Sequence, residues 1–266
     1  MHCIWMIILN SIAFTFTTEV DASTPLQPPS QVLRERQREE AQCWMSSTST
    51  DKYPYHATVV FNCDEKFPHF GVIISANYIL ATTYSVISWE KPCNPTVYVG
   101  SDEQGNYGSK HEAELIQIGN HGELSLFKLK NPITFGSRAQ AIRLVEVGEG
   151  AKSNDKVTLT ALQQQPLTST KRKVYAWTIT VKSAEDCKKL LSKSHSSDAW
   201  QCNSCLWSYS QELLCPVWRR SVLIQRDRLI GLEKSGNSFT VDSGHVLEGY
   251  FNIEYYRATI KNVTGI

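Results

Sequence analysis

The side chains best equipped for recognition fall in one short stretch of this 266-residue chain. Arg219, Arg220, Arg226 and Arg228 gather beside Trp218. Arginine and tryptophan are enriched where one protein grips another, since each joins a large contact area to directed charge or hydrogen bonding. The cluster predicts a face that engages an acidic or carboxylate-bearing protein partner. Lys171-Arg172-Lys173, after the polar stretch Gln163–Thr170, is a second basic run and reads as a solvated loop. Hydrolytic chemistry has candidates too, with Ser221 or Ser235 as nucleophile and His69, His121 or His245 as base. A serine nucleophile needs a base within hydrogen-bond reach and a third group to orient that base. No local motif joins these serines to these histidines. Cys202-x-x-Cys205 has the spacing of half a zinc site, but no second such pair or histidine pair stands at ligand spacing, so neither a metal nor any other cofactor is implied.

The elements that must carry these residues read as β-structure. From Tyr53 onward, short runs rich in β-branched and aromatic residues alternate with turn formers, the pattern of sandwiches and barrels. Strands are expected over Ala57–Asn62, Gly71–Ser75, Tyr78–Thr82, Thr96–Val99, Leu115–Ile118, Leu124–Lys128, Lys156–Ala161, Val174–Val181, Ser221–Ile224 and Arg228–Glu233. Two helices are expected, one from Ala184 to about Ser194 and one from about Asn252 to Asn262. In the latter, Ile253, Tyr256 and Ile260 share a face at helical spacing.

Upstream of the strands, residues 3–16 are apolar and Val20-Asp21-Ala22 supplies small residues, so residues 1–22 read as a signal peptide. That stretch is too short to span a bilayer, and no later segment reaches about 18 uninterrupted apolar residues. Residues 23–50 read as a flexible polar segment, and residues 51–266 as one domain. Lys plus Arg number 27 against 26 Asp plus Glu, a net charge of +1, which makes no case for nucleic acid or a membrane surface as partner. Asn262-Val263-Thr264 is a glycosylation sequon.

Three segments set the strands in a recognisable order. Phe70-Gly71-Val72-Ile73-Ile74-Ser75 precedes Tyr78-Ile79-Leu80-Ala81-Thr82-Thr83-Tyr84-Ser85. Gly122-Glu123-Leu124-Ser125-Leu126-Phe127-Lys128-Leu129-Lys130-Asn131-Pro132-Ile133 follows, and then Leu229-Ile230-Gly231-Leu232-Glu233-Lys234-Ser235-Gly236. Together these resemble the trypsin-like serine proteases over about residues 53 to 262, as pattern and not as identity. The resemblance implies two six-stranded antiparallel β-barrels with a C-terminal helix.

It also implies that the catalytic machinery is gone. Tyr84 stands where the family carries its histidine, Glu123 where it carries the orienting aspartate, and Arg219 where it carries the nucleophilic serine, the last found by counting back from Leu229 to Cys215. The same count puts Val217 at the oxyanion-hole glycine and Trp218 at the aspartate that receives the new amino terminus after activation. A β-branched residue resists the tight backbone an oxyanion hole needs. Neither an activation site in residues 31 to 55 nor a histidine at a catalytic position offsets these changes. Only 14 residues are glycine, and the shortfall falls where catalytic loops should be. No protease activity is expected; a residual serine endopeptidase is the minor alternative.

His69 and Ser85 replace two cysteines that are bonded to each other in the family, which implies a lost disulfide. Cys3 falls in the leader, leaving Cys43, Cys63, Cys93, Cys187, Cys202, Cys205 and Cys215. The resemblance pairs Cys187 with Cys202. Cys205 is then the natural partner for Cys215, and Cys63 with Cys93 could bridge the first barrel, although sequence does not fix connectivity. Cys43 is the odd one, an intermolecular bridge or a free thiol. Inactive relatives of this family act by binding, as cofactors of an active protease, as decoys for an inhibitor, or as members of extracellular and seminal-fluid networks. A small-ligand or glycan carrier on the same fold is the alternative. Its pocket floor is expected near Leu213 and its rim near Lys234–Gly236.

Overall fold

The computed structural model describes residues 47–48, 52–62, 64–82, 94–103, 106–118, 124–162, 174–191, 205–210, 221–240 and 246–266. Six strands close the first barrel: β2 (His56–Phe61), β3 (Asp64–Ser75), β4 (Tyr78–Thr82), β5 (Pro95–Glu103), β6 (Asn106–Ile118) and β7 (Leu124–Leu129), in the ring order β2-β3-β4-β7-β6-β5. Side chains alternate across each strand, so every second residue points inward. Ala57, Val59 and Phe61 of β2 meet Ile73, Ile79, Val97 and Phe127 in a core where all are essentially inaccessible. Gly71 is required at a close approach, since a Cβ there would come 2.5 Å from Ile79 Cγ2.

The second barrel closes through β9 (Lys156–Leu162), β10 (Val174–Lys182), β11 (Cys205–Ser210), β14 (Val246–Asn252), β13 (Arg228–Thr240) and β12 (Ser221–Gln225), which returns to β9. The short β1 (Ser47–Thr48) adds to β10, and β8 (Arg143–Leu144) lies parallel to β13. Two six-stranded antiparallel barrels are therefore present, as the resemblance implied. The strands β11 and β14 lie beyond the expected set. β11 buries Leu206, Trp207 and Ser208 in succession, and Glu248 and Gly249 interrupt β14, so neither shows the simple apolar–polar alternation of a half-buried strand.

A strap over residues 139–145 ties the barrels together. Ile142 N donates to Ile73 O at 2.9 Å in the first barrel, and Val145 N donates to Leu229 O at 3.1 Å in the second. Across the same seam Tyr55 Oη and Thr160 Oγ1 are 3.2 Å apart. One buried cluster holds Val72, Leu80 and Leu126 of the first barrel with Leu223, Leu229 and Ile230 of the second.

The two helices among the described residues are capped as their sequences require. In α1 (Ala184–Leu191), Asp186 N donates to Ser183 Oγ at 3.1 Å. In α2 (Ile253–Thr264), Asn252 accepts from Glu254 N at 3.1 Å, and Gly265 closes the other end at φ 77°, with its N–H on Lys261 O. Ile253, Tyr256 and Ile260 are all buried, the predicted stripe. Arg257 joins them, because Glu146 takes its guanidinium at 2.8 and 3.1 Å and Ile266 O takes a third hydrogen bond at 2.7 Å. Among the described residues no helix is long and apolar enough to cross a membrane.

Candidate functional site

The strands expected to frame Tyr84 and Glu123 are in place. Thr82, the last residue of β4, pairs with Leu124, the first of β7. The chain therefore leaves toward Tyr84 and arrives from Glu123 at one end of the first barrel. Tyr84 and Glu123 themselves lie outside the described residues, as do Trp218, Arg219 and Arg220, which immediately precede β12. Cys43, Cys63, Cys93, Cys202 and Cys215 also lie outside them, as does Leu213. Cys205 opens β11. Cys187 departs from the expected pairing with Cys202. It is a free thiol, fully buried in α1, and burial pushes its pKa up to about 12.

Where β12 begins, the second barrel carries a chain of polar groups. Ser221 N donates to Glu233 Oε2 at 2.8 Å, and Ser221 Oγ reaches the same oxygen at 3.1 Å. Ser221 Oγ is 2.9 Å from Tyr250 Oη, which is 3.2 Å from Glu248 Oε2. Ser221 is 2 % exposed and Tyr250 is inaccessible.

Proton counting explains how this chain is held. Two hydroxyls supply two protons for three oxygen–oxygen contacts, so all three become hydrogen bonds only when a carboxyl proton is added. Burial, with Glu233 as a like charge nearby, raises the Glu248 pKa to about 7, against an opposing effect from the Tyr250 hydrogen bond. With both carboxylates ionised, Tyr250 Oη donates to Glu248 Oε2 and Ser221 Oγ donates to Glu233 Oε2, and a proton taken up by Glu248 supplies the third hydrogen bond. This leaves Ser221 as a link in a buried relay whose polar neighbours are a carboxylate and a phenol. It has no histidine base among the described residues around it, so the improvised nucleophile considered from sequence is not supported at this serine.

The other histidines within the described residues are packed in the first barrel. His69 is buried with its ring 5.2 Å from that of Phe61. His56 lies between Tyr55 and Phe70, and burial lowers its pKa to about 3. His111 holds the strand end through Asn131 O and Ser109 Oγ. His121 and His245 lie outside the described residues.

The basic cluster is divided by the hairpin that carries it. β12 runs five residues from Ser221 before the turn at Arg226 and Asp227, which spans about 15 Å of strand. Arg226 and Arg228 thus sit at the far end of the hairpin from Ser221, while Trp218, Arg219 and Arg220, expected to share a face with them, lie outside the described residues. Arg228 is ion-paired with Glu149. Arg226 is exposed at a cleft that also takes in Lys52, Tyr53 and Arg143. Neither that cleft nor the Glu233–Ser221–Tyr250–Glu248 chain is singled out by the sequence. The alternation of Glu248 and Tyr250 on one strand face is the available signal for the second. Nothing in linear order brings Lys52 and Arg143 to Arg226. Among the described residues no group of three or more His, Cys, Asp or Glu side chains is gathered to hold a metal.

Comparison with solved structures settles what this architecture is. The scabies mite inactivated protease paralogue S-D1 superposes with a TM-score of 0.67 at 15 % identity, over 83 % of this chain and 96 % of that one. This is the trypsin-like fold. The scabies mite inactivated protease paralogue S-I1 matches with a TM-score of 0.62 at 13 % identity, over 82 % and 98 % of the two chains. Neuropsin, a serine protease of mouse brain, matches with a TM-score of 0.61 at 14 % identity, over 82 % and 97 %. The trypsin-like fold is thus shared with both an enzyme and proteins described as inactivated. No established sequence family matches the chain, and no curated protein matches it as a relative.

Proposed function

We propose that this chain is a secreted, catalytically silent protease homologue that acts by binding another protein. One observation carries the reading: on a trypsin-like fold, the three residues that the resemblance places at the catalytic positions cannot do the work. Tyr84 is a phenol whose ordinary pKa near 10 makes it no acceptor of protons from serine at neutral pH. Arg219 has no nucleophilic atom and keeps its charge. Glu123 has no imidazole to orient. The likeness to two inactivated paralogues supports a scaffold kept without its chemistry. The apolar leader ending near Ala22 supports export, and the exposed Asn262 on the last turn of α2 supports a glycan there. Trp218, Arg219 and Arg220 are the anchors assigned to the partner, which by this reading is an active protease, a protease inhibitor or a network protein of the same fluid.

A fluorophosphonate probe tests the chemical half. The folded protein is expected to remain unlabelled and to leave chromogenic peptide substrates intact, and stoichiometric labelling of any serine would overturn silence. A cross-linked pull-down from the native fluid tests the other half. A protease or inhibitor is expected to be captured, and the Arg219→Glu, Arg220→Glu double variant is expected to lose it.

A further inference from the structure

A cleft of about 530 Å³ opens where the strap passes between the barrels, far along the hairpin from the catalytic positions. Its floor is apolar, made by Ile142 and Ile224, both buried. Tyr53 and Tyr55 form one wall, their rings edge-to-face at 6.1 Å. The rim is basic, with exposed Lys52, Arg143 and Arg226 against the single carboxylate of Asp227. None of the three cations makes an ion pair among the described residues, whereas the neighbouring Arg228 and Arg257 are each paired with a glutamate.

The rim is also held still. Arg143 lies in the strap that both barrels fix through backbone hydrogen bonds, and it is registered beside Arg228 in the parallel β8–β13 pair. Arg226 and Asp227 form the two-residue turn of the β12–β13 hairpin with φ of 50° and 58°. Both residues of such a turn sit in the left-handed region, where Asn-Gly is the unstrained choice and a long side chain is strained. A costly arginine kept at that position projects charge from a rigid point, and strain of this kind collects at functional sites.

We infer that this cleft binds an acidic peptide segment, with carboxylates taken by Arg143 and Arg226 and an aromatic or aliphatic side chain lodged against Tyr53, Ile142 and Ile224. The volume falls in the range of pockets that bury a drug-sized ligand, enough for one anchoring side chain with the carboxylates beside it. Guanidinium groups match carboxylates in geometry as well as in charge. The apolar floor, together with Asp227 interrupting the rim, favours a peptide over a glycan polyanion, which calls for an unbroken basic strip. This site rests on the reading of the chain as a binding protein, but its test is independent of the probe experiment that decides catalytic silence.

The test uses the full secreted chain and a fluorescein-labelled pentapeptide, Glu-Glu-Tyr-Glu-Glu, followed by fluorescence anisotropy. Binding with a Kd of about 10–100 µM is expected at about 0.05 M salt, weakening severalfold at about 0.5 M. The Gln-Gln-Tyr-Gln-Gln peptide should bind at least about tenfold more weakly. Arg143→Glu and Arg226→Glu should each weaken the acidic peptide about tenfold, while Lys110→Glu, an exposed cation of β6 outside the cleft, should leave it unchanged. Arg143→Gln and Arg226→Gln serve as milder variants, with circular dichroism confirming the fold. Equal binding of the two peptides, no binding of the acidic one, or full affinity in the reversal variants each overturns the inference. So does displacement by a heparin hexasaccharide that binds more tightly and loses affinity in the same two variants, which would assign the cleft to a glycan.

Discussion

Glu248 shows how one side chain turns a strand into a proton-dependent element. Its folded pKa of about 7 lies above its ordinary value of 4.5, so between those pH values the folded protein holds a proton that the unfolded chain has released. Stability from this group is fully present below pH 4.5 and is lost as pH rises through 7. Since a tenfold change in proton affinity is worth about 1.4 kcal/mol, ionising this carboxyl in place costs roughly 3 kcal/mol. Glutamine keeps the shape and carries no charge, and its N–H₂ can donate to Tyr250 as the carboxyl proton does. Glu248→Gln is therefore expected to match the parent protein in urea unfolding at pH 4.5 and to exceed it by about 1–3 kcal/mol at pH 8. Equal stability of the two at pH 8 would show that Glu248 is ionised without penalty and that the hydroxyl chain is held in another way.

The terminal helix puts the same kind of reasoning at the level of an element. Ile253, Tyr256 and Ile260 recur at helical spacing, and this stripe was legible because burial against the second barrel selects it directly. Ile260 is inaccessible, whereas Val263 on the neighbouring turn is 36 % exposed. Ile260→Ala is expected to cost about 2–4 kcal/mol in chemical denaturation, and Val263→Ala well under 1 kcal/mol. If both cost the same, the helix does not bury the stripe that its sequence displays. The barrel strands were legible for a similar reason, since Ala57–Phe61, Tyr78–Thr82 and Leu124–Leu129 each alternate or run apolar into a closed core. β11 and β14 were not, because their inward faces carry Ser208, Glu248 and Tyr250, and a polar residue facing a hydrogen-bonded interior has the same letter as one facing water. Of the catalytic positions, Arg219 is read only by counting back from a neighbouring strand, a method that gives order along the chain but not which ends of a hairpin lie together. That is why Arg226 and Arg228 were grouped with Arg219 and Arg220, although a five-residue strand separates them.

On the scale of the whole molecule, the two barrels carry opposed proton linkages, and their sum shapes the pH dependence of the fold. His56, buried between Tyr55 and Phe70 in the first barrel, has a folded pKa near 3 against 6.5 when unfolded. Its stability contribution is fully present above pH 6.5 and is lost as pH falls toward 3, since the unfolded chain binds a proton that the folded one refuses. Glu248 in the second barrel has the reverse sign from 4.5 to 7. Between about pH 4.5 and 6.5 the unfolded state gains one proton at His56 while the folded state keeps one at Glu248, so the net difference from this pair is zero and the stability curve should be flat. Below that window the His56 slope stands uncompensated. It is joined there by Asp155 and Asp186, whose pKa values are lowered chiefly by hydrogen bonds from the Lys152 backbone and from Ser153, respectively. Above the window the Glu248 slope stands alone until it ends near pH 7. Urea midpoints measured from pH 3 to 9 should therefore trace a plateau with a steep acid side and a shallow step on the alkaline side. His56→Phe, which keeps an aromatic ring between Tyr55 and Phe70, should tilt the plateau so that stability rises by about 1.4 kcal/mol per pH unit as the pH falls across the window. A parent curve that climbs steadily from pH 4.5 to 8, or a His56→Phe curve that remains flat, would separate the two barrels' titrations and remove the balance.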